Sequence, residues 1–144
     1  MGDRVSVSFK QNVKMFNAKE GKEKEYREES PALFHHWGGT EFAKMAFDWF
    51  KMIKTETKDL KGSDPFTRLE PRNLMVQLIG TLARHKWDQY KTYKKGVFKD
   101  HEHWMSYSMY LGKDGQDGDN SDNGHYTIDV DTGKMYNDKG ESIA

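Results

Sequence analysis

The sequence predicts a small α+β domain, a mainly antiparallel sheet of about four to five strands with two to three helices on one face. Three observations lead there. Stretches with period-two alternation of apolar and polar residues stand near both ends of the chain, and two longer stretches with helical periodicity fill its middle. The length, 144 residues, suits one hydrophobic core.

Val5, Val7 and Phe9 alternate with Ser6 and Ser8, the pattern of a half-buried first strand. Lys10 to Glu29 mixes charges of both signs around Gly21, with Val13, Met15 and Phe16 as its apolar matter, and reads as a long connection or a hairpin extension in solvent. Tyr26 to His36 returns as a second strand antiparallel to the first, with Leu33, His35 and Trp37 on one face and Phe34 and His36 on the other. Thr40 is the expected N-cap of a helix through Thr57, and Glu41 suits its first turn. The stripe of Phe42, Met45, Ala46, Trp49, Phe50, Met52 and Ile53 is ordinary filling for a sheet-facing helix.

Lys61 to Pro65 breaks this helix, and Pro71 opens the next, with Leu74, Met75, Leu78, Ile79 and Leu82 on its buried side. Gly80 inside it is expected to mark close helix packing. Tyr90 to Lys99 either extends the helix or forms a separate turn ending at Gly96. His103, Met105, Tyr107, Met109 and Leu111 then alternate with polar or aromatic residues. After a loop rich in glycine and aspartate, Tyr126, Ile128 and Val130 do the same. The expectation is a hairpin with a long tip, apolar toward the helices and partly exposed on the side of Trp104, Ser106, Ser108, Tyr110, Thr127 and His36. A tight turn at Asp131 to Lys134 leads into a short last strand, and residues 137–144 are expected to fray.

Composition removes several function classes. Zero cysteines exclude a disulfide framework and a thiol nucleophile, and leave any metal site to His, Asp and Glu. No stretch approaches the ~20 apolar residues that cross a bilayer, so a soluble protein without a membrane partner is expected, in the cytoplasm by default. Lys plus Arg and Asp plus Glu number 23 each, so total charge favours no polyanionic partner. The charges are nonetheless segregated. Arg84, Lys86, Lys91, Lys94, Lys95 and Lys99 face one acid, Asp88, and interleave with Trp87, Tyr90, Tyr93 and Phe98; residues 114–131 hold six aspartates and no Lys or Arg.

Four constellations could carry function. The corner His35-His36-Trp37-Gly38-Gly39-Thr40 joins a strand to a helix start, whose uncovered N–H groups can hold a phosphate or nucleotide; the alternative is a core Trp37, a satisfied buried histidine and a tight turn. The basic and aromatic run through Arg84, Lys86, Trp87, Tyr90, Lys91, Tyr93, Lys94 and Lys95 could grip a protein partner, or phosphates with bases stacked on its rings, or be a solvated helix end. His101 and His103 have the spacing of a transition-metal chelate. In the loop, Asp119, Ser121, Asn123 and Gly124, with Asp117 as a further candidate metal ligand nearby, fit the first half of a calcium loop, yet Val130 stands where a bidentate Glu belongs, and turn chemistry explains the same residues. No nucleophile elbow, HExxH, P-loop or complete nucleotide fingerprint is present.

The Phe34-His35-His36-Trp37-Gly38-Gly39 segment, followed by the aromatic helix and by Asp117 to Asp129 with its Asp-Gly-Asp-Asn-Ser-Asp-Asn-Gly run, resembles a small family of uncharacterised proteins of prokaryotes and their phages or prophages. The resemblance implies an accessory protein that binds a host or defence component, and it brings no active site. The expected function is therefore non-enzymatic binding of a macromolecule. Alternatives are a phosphate or nucleotide site at Gly38-Gly39 and a metal-dependent hydrolase on the histidines. A protein partner ranks ahead of a small nucleotide and of nucleic acid, a homo-oligomer stays open, and no cofactor is expected beyond the calcium or transition-metal alternative.

Overall fold

The computed structural model describes residues 2–57, 69–93 and 109–143, with 13–17 and 84–93 as backbone. In chain order the elements are β1 (Val5–Asn17), β2 (Lys22–Glu29), β3 (Ala32–His35), α1 (Gly39–Thr57), α2 (Pro71–Tyr93), β4 (Met109–Gly112), β5 (His125–Asp129) and β6 (Lys134–Tyr136). The fold is α+β: among the described residues, six strands form one mixed, mostly antiparallel sheet and two helices accompany it. The sheet order is β4-β3-β1-β5-β6, with β2 also paired to β1.

β1 is the axis of the sheet. Its first half lies between antiparallel β3 and parallel β5, and its second half runs on with β2 as the charged hairpin extension that the sequence suggested. β2 and β3 follow one side of β1, separated by an interruption at Ser30-Pro31. Between the pairs Lys10↔Glu29 and Val7↔Leu33, Ser8 and Phe9 of β1 face Ser30, Pro31 and Ala32, which makes a bulge. Proline brings no N–H to a ladder. The Ser30 side chain serves instead, its Oγ accepting the Phe9 N–H at 3.0 Å while Ser30 N–H donates to the Phe9 carbonyl at 2.8 Å.

Val5, Val7, Phe9, Leu33, Ile128 and Met135 meet Phe42, Ala46, Trp49 and Phe50 of α1 and Leu74, Met75, Leu78 and Leu82 of α2 in one core. The Phe9 ring lies 6.2 Å from Trp49 and 6.1 Å from Phe50. Burying such a side chain contributes about 1.5–3 kcal/mol.

Four expectations need correction. β4 pairs with β3 and β5 pairs with β1, so the late strands are no hairpin; two strands stand between them, and the connection crosses the sheet face instead of turning back. Met105 and Tyr107 lie outside the described residues, whereas Met109 and Tyr126 pack at the core edge as expected. Met52 is half exposed, since the core side of α1 is narrower than the apolar stripe. Among the described residues nothing lies within 4 Å of a Cβ on Gly80, so they make no close packing there. The tail is tied as far as Ile143: Asn137 Oδ1 accepts the N–H groups of Lys139 and Glu141, and Ile143 N–H donates to the Met135 carbonyl.

Candidate functional site

The His35 to Thr40 corner is built by close approach. A Cβ on Gly38 would stand 2.6 Å from Phe42 Cβ, so only glycine lets the strand end lie on the helix. Gly39, at φ +61°, takes the left-handed turn that other residues resist. The Gly38 carbonyl accepts the Phe42 N–H at 3.2 Å, which puts the cap ahead of the expected Thr40. His35 is fully buried, its ring 4.8 Å from Phe42 and its Nδ1 accepting the Trp37 N–H at 3.0 Å. Trp37 points outward instead of anchoring the core: it is 45% exposed, with its ring edge-on to His36 at 4.4 Å.

The chain's own acid guards the helix start. Gly39 N–H donates to the Asp3 carbonyl at 2.8 Å, and a Cβ on Gly39 would lie 2.5 Å from the Asp3 carboxylate. Asn123 Nδ2 holds that carboxylate at 2.6 Å. An open depression of about 510 Å³ lies here, lined by Asp3, Trp37, Gly38, Gly39, Thr40, Glu41 and Asn123. A phosphate entering it would meet the carboxylates of Asp3 and Glu41.

The acidic loop spends its oxygens on its own turns and on Arg4. Asp117 Oδ2 accepts the Lys113 N–H at 2.9 Å, and Asp119 Oδ1 accepts the Ser121 Oγ–H at 2.7 Å and N–H at 3.1 Å. Arg4 Nε reaches Asp119 Oδ2 at 3.1 Å, and Arg4 N–H donates to Asp122 Oδ2 at 2.9 Å. The Ser121 hydrogen bonds, helped by Arg4, hold the Asp119 carboxyl below the usual carboxylate range. Among the described residues no three His, Asp or Glu side chains gather as metal ligands. Lys94, Lys95, His101 and His103 lie outside the described residues; Arg84, Lys86, Trp87, Tyr90, Lys91 and Tyr93 lie on the second half of α2, described as backbone.

The sheet face away from the helices holds a cluster that the sequence reading passed over. The parallel register places His125 beside Ser6, and both ring nitrogens are engaged, Nδ1 with Ser6 Oγ at 2.6 Å and Nε2 with Ser8 Oγ at 2.9 Å. The partners fix the tautomer. Ser8 gives its only hydroxyl proton to Glu29 Oε1 at 3.2 Å, so it accepts from Nε2–H, and Nδ1 accepts from Ser6. Asn120 Nδ2 donates to Ser6 Oγ at 2.8 Å, so the bonds run one way from Asn120 through Ser6, His125 and Ser8 to Glu29. Burial pushes the imidazole below its ordinary 6.5, against the weaker opposing pull of Glu29, Asp138 and Asp114.

A serine beside a histidine base is half of an acyl-transfer pair. Here Ser6 is 0% exposed, an amide already donates to its oxygen, and the imidazole keeps no ring nitrogen for a substrate. The arrangement orders one tautomer and ties the crossing loop to β1. Small hydroxyls at the outward positions of the first strand were the signal available in the sequence, but their partner depends on a parallel pairing of residues far apart in the chain.

This face is partly exposed at Tyr110, Thr127 and His36, as expected, while over Phe34 of β3 it is closed. Phe34 is fully buried and stacks on Tyr110 at 5.0 Å, because Gly112 and Gly118 have no Cβ and let the crossing loop lie on its ring. Among the described residues no helix is long and apolar enough to cross a membrane. No protein-family model, curated protein or solved structure matches the chain.

Proposed function

We propose that this chain is a non-enzymatic binding protein that recognises a macromolecular partner, a protein, through the Trp37 corner. The observation that carries the reading is the exposed indole, 45% open at the rim of a depression flanked by Asp3 and Glu41. Tryptophan is a residue that cores and interfaces bury, and an indole beside two carboxylates suits a lysine or arginine side chain through cation–π attraction and ion pairing. The commitment of both His125 ring nitrogens to serines supports a role without catalysis. The resemblance to phage and prophage proteins points to a host or defence component as the partner. Asp3 at the helix start weighs against the phosphate or nucleotide alternative.

The test is affinity capture from the native cell, followed by titration of the captured protein in purified form. Trp37→Ala is expected to weaken binding by about tenfold or more, as an interface anchor does, and to leave the melting temperature nearly unchanged. Equal affinity of the wild-type and Trp37→Ala chains overturns the proposal.

A further inference from the structure

Below the His125 cluster the sheet face opens into a cleft of about 900 Å³, within the range of roughly 300–1,000 Å³ usual for small-molecule sites. Its floor is ordered by strand register. Ser8 lies beside Thr127 and Lys10 beside Asp129 across the parallel pair, and Thr127 lies beside Tyr136 across the antiparallel one. Side chains at alternate positions therefore stand in polar rows where the other sheet face carries the core.

The groups around the cleft are held before any ligand arrives. Lys10 Nζ lies 3.9 Å from Asp129 Oδ2 and 5.0 Å from the centre of the Tyr136 ring. Glu29 accepts from Ser8, and Asp114 Oδ1 accepts the Gln116 N–H at 2.9 Å. Asn120 is fixed by Ser6 and by the Gly115 carbonyl, and Asn137 Oδ1 is occupied by backbone N–H groups, which leaves its amide hydrogens to donate. Such preorganisation lowers the entropy cost of binding.

The chemistry of these walls selects a ligand class. An apolar molecule would take water from carboxylates, amides and an ammonium group without replacing its hydrogen bonds. A polyanion would face Glu29, Asp114, Asp129 and Asp138 together. A polycation would face the ammonium of Lys10 and the guanidinium of Arg27. Hydroxyl groups, each one donor and two acceptor positions, can serve carboxylate, amide and cation alike. We infer that the cleft binds a neutral polyhydroxylated molecule of the saccharide class, with Asp114, Asn120 and Asn137 as hydrogen-bonding groups and Tyr136 as its flat wall.

The experiment is calorimetric titration of the full chain with maltotriose, cellotriose and tri-N-acetylchitotriose at millimolar concentration, with spermidine and ATP as charged comparators. At least one saccharide is expected to bind saturably, about tenfold more weakly to Asp114→Ala or Tyr136→Ala and unchanged to Trp37→Ala. Asp114 is exposed, so that variant tests the site without disturbing the core. Silence from all three saccharides overturns the inference, as does binding of spermidine or ATP alone, or saccharide binding that neither cleft variant weakens.

Discussion

The two faces of β1 keep water from the same stretch of backbone by opposite means. Val5, Val7 and Phe9 are buried by apolar side chains of α1 and α2, while Ser6 and Ser8, as deeply buried, are covered by an imidazole, an amide and a glycine-rich loop. Dispersion and the hydrophobic effect have no direction, so the helix face tolerates exchange among apolar residues of similar volume. Hydrogen bonds are directional, and a buried donor or acceptor without a partner costs about 1–3 kcal/mol. The helix face is therefore sensitive to volume and the polar face to chemistry.

Three measurements sharpen or break that contrast. Phe9→Ala has the largest expected effect, a loss of about 3–5 kcal/mol in denaturant unfolding, because the rings of Trp49 and Phe50 cannot fully close over the vacated space. Ser6→Ala removes one oxygen and is expected to cost about 1–3 kcal/mol, since His125 Nδ1 loses its donor and the Asn120 amide loses an acceptor. Combined with His125→Ala, the total loss should be smaller than the sum of the two single losses, and strict additivity would show that the serine and the imidazole do not act together.

The smallest expected effect is a pH dependence. The folded state holds His125 below its ordinary 6.5, so the unfolded chain binds the proton more readily. The associated stability is complete above 6.5 and declines as pH falls through the folded-state value. His125→Gln should remove that slope from a series of unfolding curves, and an unchanged slope would assign it to other groups. Asp119 acts in a separate window, since its lowered carboxyl contributes above its ordinary 3.8 and is lost only as pH falls below it.

How much could be read beforehand follows the same division. Both helices were legible because α1 and α2 repeat apolar residues at helical spacing over many turns, and Pro71 does open α2. The alternation of Val5, Val7 and Phe9, and the split of Leu33 from Phe34 between faces, were legible as well. The pairing of strands was not, because alternation tells which residues share a face and says nothing about which strand lies alongside. The partners of His125 could not be found from local pattern, since they stand 119 and 117 positions away. At the corner, Gly38-Gly39 marks the passage from strand to helix in the sequence, whereas the Asp3 carboxylate beside it is placed there only by the folded chain.

The bulge at Ser30-Pro31 has a consequence for how this chain tolerates insertions and deletions. Opposite β1, Tyr26 and Glu28 pair with Val13 and Gln11, whereas after the bulge Leu33 and His35 pair with Val7 and Val5, so the helix-facing residues change from even to odd numbers. The extra residue resets the parity of the strand. Were the bulge straightened with every residue kept, pairing continued from Lys10↔Glu29 would set Phe34 opposite Val5, toward the helices, and turn Leu33 and His35 toward the crossing loop, whereas loss of one residue there would leave Leu33 opposite Val7. An indel in the β1–β2 hairpin beyond it would alter only a charged extension, so two neighbouring stretches of one strand differ in whether a frame error is local or is carried through the sheet.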